Sequence, residues 1–271
     1  MDQVEGRVEL KFQPTTNQEF LSLVARERAA FGELFIASET SNGASPRAAL
    51  TTKGGYGTSA YSGNPANPMY TGCTMAFNVV KGGVYHFVTA AHCVQADTYS
   101  GTASTPWFYT WAGGSTLLGH SDGTYLGQNA ASFINPPSGD MAVIRYSSTN
   151  TITAYGTVYY GTGSVDVTGF GPAVFNDWSC TFGAKTKAKH CAAIDDVCRD
   201  VHYGAPWNVT INCMIHAPIG TFAGDSGSPL WVTASDGVSA TGVGVLSGGS
   251  SVESFYSWVI DARTRWGVDA Y

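Results

Sequence analysis

Charge is what this chain has least of. Only 13% of its 271 residues are Asp, Glu, Lys or Arg, and they sum to a formal net charge of −6. No basic run or cluster stands out, which argues against nucleic acid as a partner. No apolar run approaches the ~18 residues of a spanning helix, so no membrane partner is expected either. Met1 is followed by Asp2 and Glu5 instead of a basic and apolar leader, so an exported form would already have lost its leader. There is no Cys-x-x-Cys pair, and no repeat of the kind that marks a propeller or solenoid. Strand–helix alternation is missing as well, which turns the reading away from a parallel sheet.

What is present points one way. Apolar residues make up 44% of the chain, enough for a sizeable core, and 33 glycines accompany abundant serine and threonine. That balance suits a secreted all-β protein with many turns. The six cysteines are Cys73, Cys93, Cys180, Cys191, Cys198 and Cys213. An even number in a chain of this type reads as three disulfides formed in an oxidising compartment. The competing idea, a zinc site from Cys180, Cys191, Cys198, His190 and His202, matches no common ligand spacing. No metal or other cofactor is expected.

Residues 1–40 differ from the rest and hold eleven of the 34 charged residues. Arg7–Phe12 alternates charged and apolar, as a half-buried strand does. Thr16 and Asn17 can cap a helix from Gln18 to Phe31 with Phe20, Leu23, Val24 and Phe31 on one face. Leu34–Ala37 reads as another strand, completing a small α/β unit. Ser38–Tyr70, rich in Ser, Gly, Asn, Pro and Thr, reads as a linker or long surface loop. The composition break favours a pro-segment over an ornament of the main domain, with the mature chain starting near Thr51 to Tyr56.

From Cys73 onward short strands are expected at Thr74–Val80, Tyr85–Thr89, Trp107–Trp111, Met141–Tyr146, Val165–Phe170, Val209–Ile215, Ser228–Thr233, Gly242–Ser247 and Phe255–Val259. Turn signals such as Lys81-Gly82-Gly83 and Pro136-Pro137-Ser138-Gly139 separate them. The pattern predicts antiparallel barrels or a sandwich, ending in a short helix at Trp258–Trp266.

The chemistry centres on Gly224-Asp225-Ser226-Gly227-Ser228-Pro229-Leu230. A serine between glycines before an apolar strand sits on a tight turn with its hydroxyl exposed. Gly224 lets a backbone N–H face a reacting carbonyl beside the N–H of Ser226. A serine needs a base and an orienting group. His92, in Thr89-Ala90-Ala91-His92-Cys93, follows an apolar strand and adjoins a disulfide cysteine, so it is held firmly enough to serve as base. His86, His120, His190, His202 and His216 lack that setting and read as surface or structural residues. Asp140 opens an apolar strand, where an unpartnered carboxylate would be costly, whereas Asp97 and Asp122 lie in polar loops.

These residues together resemble the chymotrypsin-like serine proteases, in particular the microbial streptogrisin and α-lytic protease branch, over Tyr70 to Tyr271. The matching motifs are Thr-Ala-Ala-His-Cys at 89–93, Gly-Asp-Met-Ala-Val-Ile-Arg-Tyr at 139–146, Gly-Asp-Ser-Gly-Ser-Pro-Leu at 224–230 and Leu-Ser-Gly-Gly-Ser at 246–250. The order His, Asp, Ser fits that family. The resemblance implies an all-β, trypsin-like fold of two antiparallel six-stranded β-barrels, with a small N-terminal α/β pro-segment and a short C-terminal helix. Residues 1–50 would be the pro-region remnant and linker, 51–150 the barrel with His92 and Asp140, and 151–271 the barrel with Ser226.

It further implies a secreted, monomeric endopeptidase cutting protein or peptide substrates, with its own pro-segment as a partner. Its catalytic residues would be His92, Asp140 and Ser226, its oxyanion hole Gly224 and Ser226. Ala223, Ser247, Gly248 and Gly249 would bind substrate. The family pattern pairs Cys73 with Cys93 and Cys180 with Cys191, leaving Cys198 and Cys213 for each other. Three positions depart from the pattern. Ser228 replaces a second glycine, Gly220 stands where a pocket cysteine is usual, and Thr181 stands where an arginine often balances the aspartate before the nucleophile. Pocket walls at Ile219–Ala223, Ser247–Gly249 and Val252–Phe255 imply an uncharged, apolar preference unless Glu253 points inward. Rival classes are a protease-fold binding protein without turnover and an esterase using the same triad. Asn208-Val209-Thr210 is a glycosylation sequon in a eukaryotic host.

Overall fold

Period-two patterns closed by glycine turns build most of this chain into sheet. The computed structural model describes residues 2–4, 7–12, 35–39, 50–61, 70–94, 107–110, 117–127, 139–147, 152–204 and 208–271. In chain order come β1 (Asp2–Val4), β2 (Arg7–Phe12), β3 (Phe35–Glu39), β4 (Leu50–Gly54), β5 (Gly57–Tyr61), β6 (Tyr70–Thr74), β7 (Phe77–Lys81) and β8 (Val84–Thr89). A 3-10 turn at Ala91–Cys93 leads to β9 (Trp107–Thr110), β10 (Leu117–Gly127) and β11 (Gly139–Tyr146). Then follow β12 (Ile152–Tyr159), β13 (Ser164–Phe170), β14 (Trp178–Phe182), β15 (Lys189–Ala193), β16 (Asp196–Tyr203) and β17 (Val209–Ala217). The chain closes with β18 (Pro229–Thr233), β19 (Ser239–Gly249), β20 (Ser254–Trp258), α1 (Val259–Trp266) and β21 (Asp269–Ala270).

Two units divide the chain, Met1–Ala49 and Leu50–Tyr271. In the first, β2 pairs antiparallel with β1 and parallel with β3. The helix expected at Gln18–Phe31 lies outside the described residues.

The second unit holds an eight-stranded sheet in the order β21-β7-β8-β11-β10-β9-β5-β6, every pair antiparallel. A ten-stranded sheet runs β15-β14-β18-β19-β13-β12-β4, with β20, β17 and β16 branching from β19. The described pairing does not by itself establish two six-stranded antiparallel barrels. Among the described residues neither sheet closes, and β4–β12 and β13–β19 run parallel. The halves exchange strands: β4 joins the later sheet, and β21 returns to the earlier one.

The reading of Ser38–Tyr70 as linker is corrected, because β4 and β5 lie inside it. Thr51, Thr52 and Tyr61 suit strands, and the Gly54-Gly55 pair that looked like linker is the bend between two of them. The Lys81-Gly82-Gly83 signal does mark a hairpin. Gly82 and Gly83 both take positive φ, as a two-residue turn between β7 and β8 requires.

The largest core cluster spans both sheets, joining Phe77, Val79, Val88, Met141 and Val143 to Val158, Val165, Trp231, Val245 and Val259. Burial of these apolar side chains, at about 1.5–3 kcal/mol each, holds the sheets together. The three disulfides are Cys73–Cys93, Cys180–Cys191 and Cys198–Cys213, which leaves no thiolate of these for zinc. The last closes a 15-residue separation between β16 and β17. Replacing Cys198 and Cys213 by serine is expected to lower stability by about 3 kcal/mol, read as a lower urea midpoint in equilibrium unfolding.

Candidate active site

The site is assembled where strands of the two sheets end. β8 runs through buried Phe87, Val88 and Thr89 and stops at Ala90, and the 3-10 turn then turns His92 out of the core. The Cys73–Cys93 bridge ties that turn to β6. Asp140 enters from β11, whose residues Ala142 to Arg145 pair with Thr89 to His86. Register alone thus brings aspartate and histidine side by side.

Asp140 is 1% exposed and fully partnered. Its Oδ1 accepts the His92 backbone N–H at 2.9 Å, and its Oδ2 lies 2.6 Å from His92 Nδ1. Ser247 Oγ, from β19, donates to the same Oδ2 at 2.6 Å. Ser257 Oγ accepts the Asp140 backbone N–H at 2.8 Å, so four groups fix this carboxyl's place. With a carboxylate on Nδ1, the imidazole keeps that nitrogen protonated and leaves Nε2 as its basic atom.

Burial favours the neutral forms of both partners, yet their mutual attraction wins. Burial would lower the His92 pKa, but the charge and hydrogen bond of Asp140 raise it above the ordinary imidazole value. Burial would raise Asp140, but the charge and hydrogen bonds of His92 and the Ser247 hydroxyl hold it below the ordinary carboxylate range. The signs follow from linkage. Stabilisation by charged His92 is complete below the unfolded imidazole pKa of about 6.5 and fades as pH rises through the raised folded value. The Asp140 contribution is present above about pH 3.9 and is lost as pH falls through the depressed folded value.

Ser226 sits on a turn fastened to both sheets. Its carbonyl accepts the Thr74 N–H at 2.7 Å, and the Gly227 N–H reaches Leu246 O at 2.8 Å. A Cβ on Gly227 would stand 2.2 Å from Thr89 Oγ1, so glycine lets the serine turn lie directly against the histidine strand. Asp225 N–H closes on Phe222 O at 2.9 Å, with Gly224 at φ 104°. That is a type II turn, which needs glycine at this position and orients the Gly224 peptide. Ser228 is accommodated, since its hydroxyl donates to Asp225 O at 2.5 Å.

His92, Asp140, Ser226, Ser247, Gly248 and Gly249 line one cavity of about 220 Å³, together with Tyr203 and Val209. A larger cavity of about 590 Å³ lies elsewhere, among Tyr56, Met75, Leu118, Tyr159 and Phe182, and is lined by none of His92, Asp140 and Ser226. Chemistry and not size identifies the site. Ala223 is exposed on the serine turn but does not line the cavity. Tyr203 and Val209 were missed from the sequence. Tyr203 ends an alternating strand like any edge aromatic, and only the fold brings its ring to 2.9 Å from where a Gly248 Cβ would be. Burial, opposed by a Ser247 hydrogen bond and reinforced by the Asp140 charge, pushes its phenol pKa up.

Glu253 is turned to other work. Its carboxylate lies 3.1 Å from Nε2 of buried His216, whose Nδ1 bonds Asp195. His86 is likewise structural, between Asp122 and the Val84 carbonyl.

A mostly-β fold carrying a buried aspartate–histidine pair beside a serine on a glycine turn defines a class, that of the chymotrypsin-like serine proteases. The trypsin family model matches residues 61–262, and the chain belongs to that family. It is 26% identical over 205 residues to serine protease 1 of Streptomyces fradiae, covering 73% of this chain and 49% of that protein. It is 29% identical over 202 residues to streptogrisin-A of Streptomyces griseus, covering 72% and 56% respectively. The chain thus spans about half the length of the curated relatives it matches. Among solved structures it resembles a glutamic acid specific serine protease at 25% identity and TM-score 0.59, over 81% of this chain and 100% of that one. Thermobifida fusca protease A shares its fold at 24% identity and TM-score 0.59, over 81% and 97%. No helix among the described residues is long and apolar enough to cross a membrane.

Proposed function

We propose that this chain is a secreted serine endopeptidase with His92, Asp140 and Ser226 as its catalytic triad. The carrying observation is that Asp140 grips both the backbone and Nδ1 of His92, inside the cavity that Ser226 also lines. Ser226 Oγ attacks the scissile carbonyl carbon while His92 Nε2 takes its proton. The oxyanion is met by the N–H groups of Gly224 and Ser226. The C–N bond then breaks as His92 returns the proton to the leaving amine. Water, deprotonated by His92, next attacks the acyl-enzyme, and Ser226 recovers its proton. Ser247, Gly248 and Gly249 offer backbone to an extended substrate as an added strand.

The residue before the scissile bond is uncharged and apolar in this reading. Glu253 is engaged by His216, and Thr221 and Ser254, on the segments expected to wall the pocket, are buried with their hydroxyls 3.1 Å apart. Exposed Phe222 and Val252, on the segments that wall the pocket, add apolar surface. The enzyme acts as a monomer, and Met1–Ala49, a unit of its own, serves as the pro-segment that is removed. Because Leu50 is already paired with Ile152, the cut falls before β4.

One experiment tests these points together. The full chain is expressed for secretion, and its mass, its labelling by an organofluorophosphonate and its cleavage of a mixed peptide library are measured. Expected are a shortened chain beginning near Leu50, stoichiometric label on Ser226, and cuts after uncharged apolar residues. Label without peptide turnover, but with ester turnover, would make it an esterase. Neither label nor turnover would leave a binding protein on a protease fold. Cuts after Arg, Lys or Glu would refute the pocket assignment.

A further inference from the structure

Asp225, beside the nucleophile, is 1% exposed, and Thr181 stands where a cationic partner would be sought. Thr181 is itself buried but is not among its hydrogen-bond partners. The Asp225 oxygens are met instead by the turn after β14. Oδ1 accepts the backbone N–H groups of Lys185 at 3.0 Å and Thr186 at 2.9 Å. Oδ2 accepts the Phe222 N–H at 3.0 Å and the Thr186 hydroxyl. All four donors are neutral. Consecutive N–H groups of a turn form a ready concavity for an anion, and several such bonds satisfy a buried carboxylate without a cation.

The neighbouring glycine is shaped to this contact. A Cβ on Gly183 would fall 2.0 Å from Asp225 Oδ1, so the turn closes over the carboxylate only because no side chain is there. Thr74 adds a second tether, accepting the Ala184 N–H at 3.0 Å and donating to Gly224 O at 3.1 Å. The turn is thereby coupled both to Asp225 and to the peptide of Gly224.

We infer that the Gly183–Lys187 turn, through the Thr186 hydroxyl and the Lys185 and Thr186 amides, is the positioning element of the oxyanion hole, and that no cation and no newly cut N-terminus is required for it. Asp225 is held by Thr186 on one side and by Phe222 on the other, and the Phe222–Asp225 turn carries Gly224. Loosening Thr186 frees the Gly224 peptide to turn away from the developing oxyanion. Ser226 and His92 keep their places. The consequence for maturation is specific. Removal of Met1–Ala49 is not what builds the oxyanion hole.

The inference rests on Ser226 being the nucleophile, and the test separates the two. Thr186→Val, Thr186→Ser and Gly183→Ala are prepared in the secreted chain and compared with wild type. The measurements are kcat and KM on a peptide amide, fluorophosphonate labelling rate, and melting temperature. Thr186→Val is expected to lower kcat about 10- to 100-fold with little change in KM, by loss of oxyanion stabilisation. Thr186→Ser restores it, and Gly183→Ala, which expels the carboxylate sterically, matches or exceeds the valine loss. A mature chain carrying one extra residue before Leu50 labels as fast as one beginning there. Wild-type labelling with an unchanged Thr186→Val rate overturns this inference alone, as does a slowed chain with the extra residue. Absence of labelling in wild type overturns the nucleophile assignment instead. A Thr186→Val protein that merely melts lower, with KM and kcat both unchanged at low temperature, counts against the inference too.

Discussion

Ser226→Ala is expected to lower kcat for peptide hydrolysis by about 10⁶-fold while leaving KM and the melting temperature near those of wild type. The size follows from the chemistry. Without the Oγ there is no acyl-enzyme, and the proton-accepting power of His92 has no partner to act on. The loss is not additive with that of His92, so a Ser226→Ala, His92→Ala double variant should be scarcely worse than either alone. Removing Oγ leaves the backbone bonds of Ser226 O and Gly227 N–H in place, so the turn should hold its shape. Steady-state assay on a peptide amide, with a fluorophosphonate check for wild-type contamination, measures this. A variant retaining a tenth of wild-type activity would remove Ser226 from the mechanism.

Asp140→Asn is the second large effect, expected at about 10⁴-fold in kcat. An amide can present its N–H₂ to His92 Nδ1, which then becomes the acceptor and puts the proton on Nε2, the wrong atom. The pH profile adds a signed test. Catalysis needs neutral His92, so the acid limb of wild-type activity should fall at a higher pH than an ordinary imidazole, because Asp140 outweighs burial there. In Asp140→Asn the charge is gone and burial remains, so the limb of the residual activity should move to lower pH. Movement upward, or none, would deny Asp140 its electrostatic role.

The parts of the site that were legible in the sequence are those written locally. A serine between Gly224 and Gly227, a histidine after Tyr85–Thr89 and an aspartate opening an apolar strand are each a short string whose chemistry is readable in place. Cys198 and Cys213 are the two cysteines that the family pattern leaves over, and the structure joins them as expected. Strands with strong apolar or β-branched content, such as Val84–Thr89 and Ser164–Phe170, were foreseen within a residue or two. Leu117–Gly127 and Asp196–Tyr203 were not. Glycine, charge and histidine dilute their periodicity, and their neighbours in the sheet, not their own preferences, make them strands.

Sequence by itself determined the mostly-β class, the family and the identity of the three candidate catalytic side chains, because each depends on residues adjacent in the chain. Tertiary structure alone decided the remainder. It placed Ser247 on Asp140 across 107 positions, Tyr203 against Gly248, Glu253 on His216, and the Lys185–Thr186 amides around Asp225. These are meetings between backbone groups or common polar side chains on distant strands. Such groups carry no distinguishing mark in a sequence, and only the register and packing of the sheets bring them within hydrogen-bonding reach.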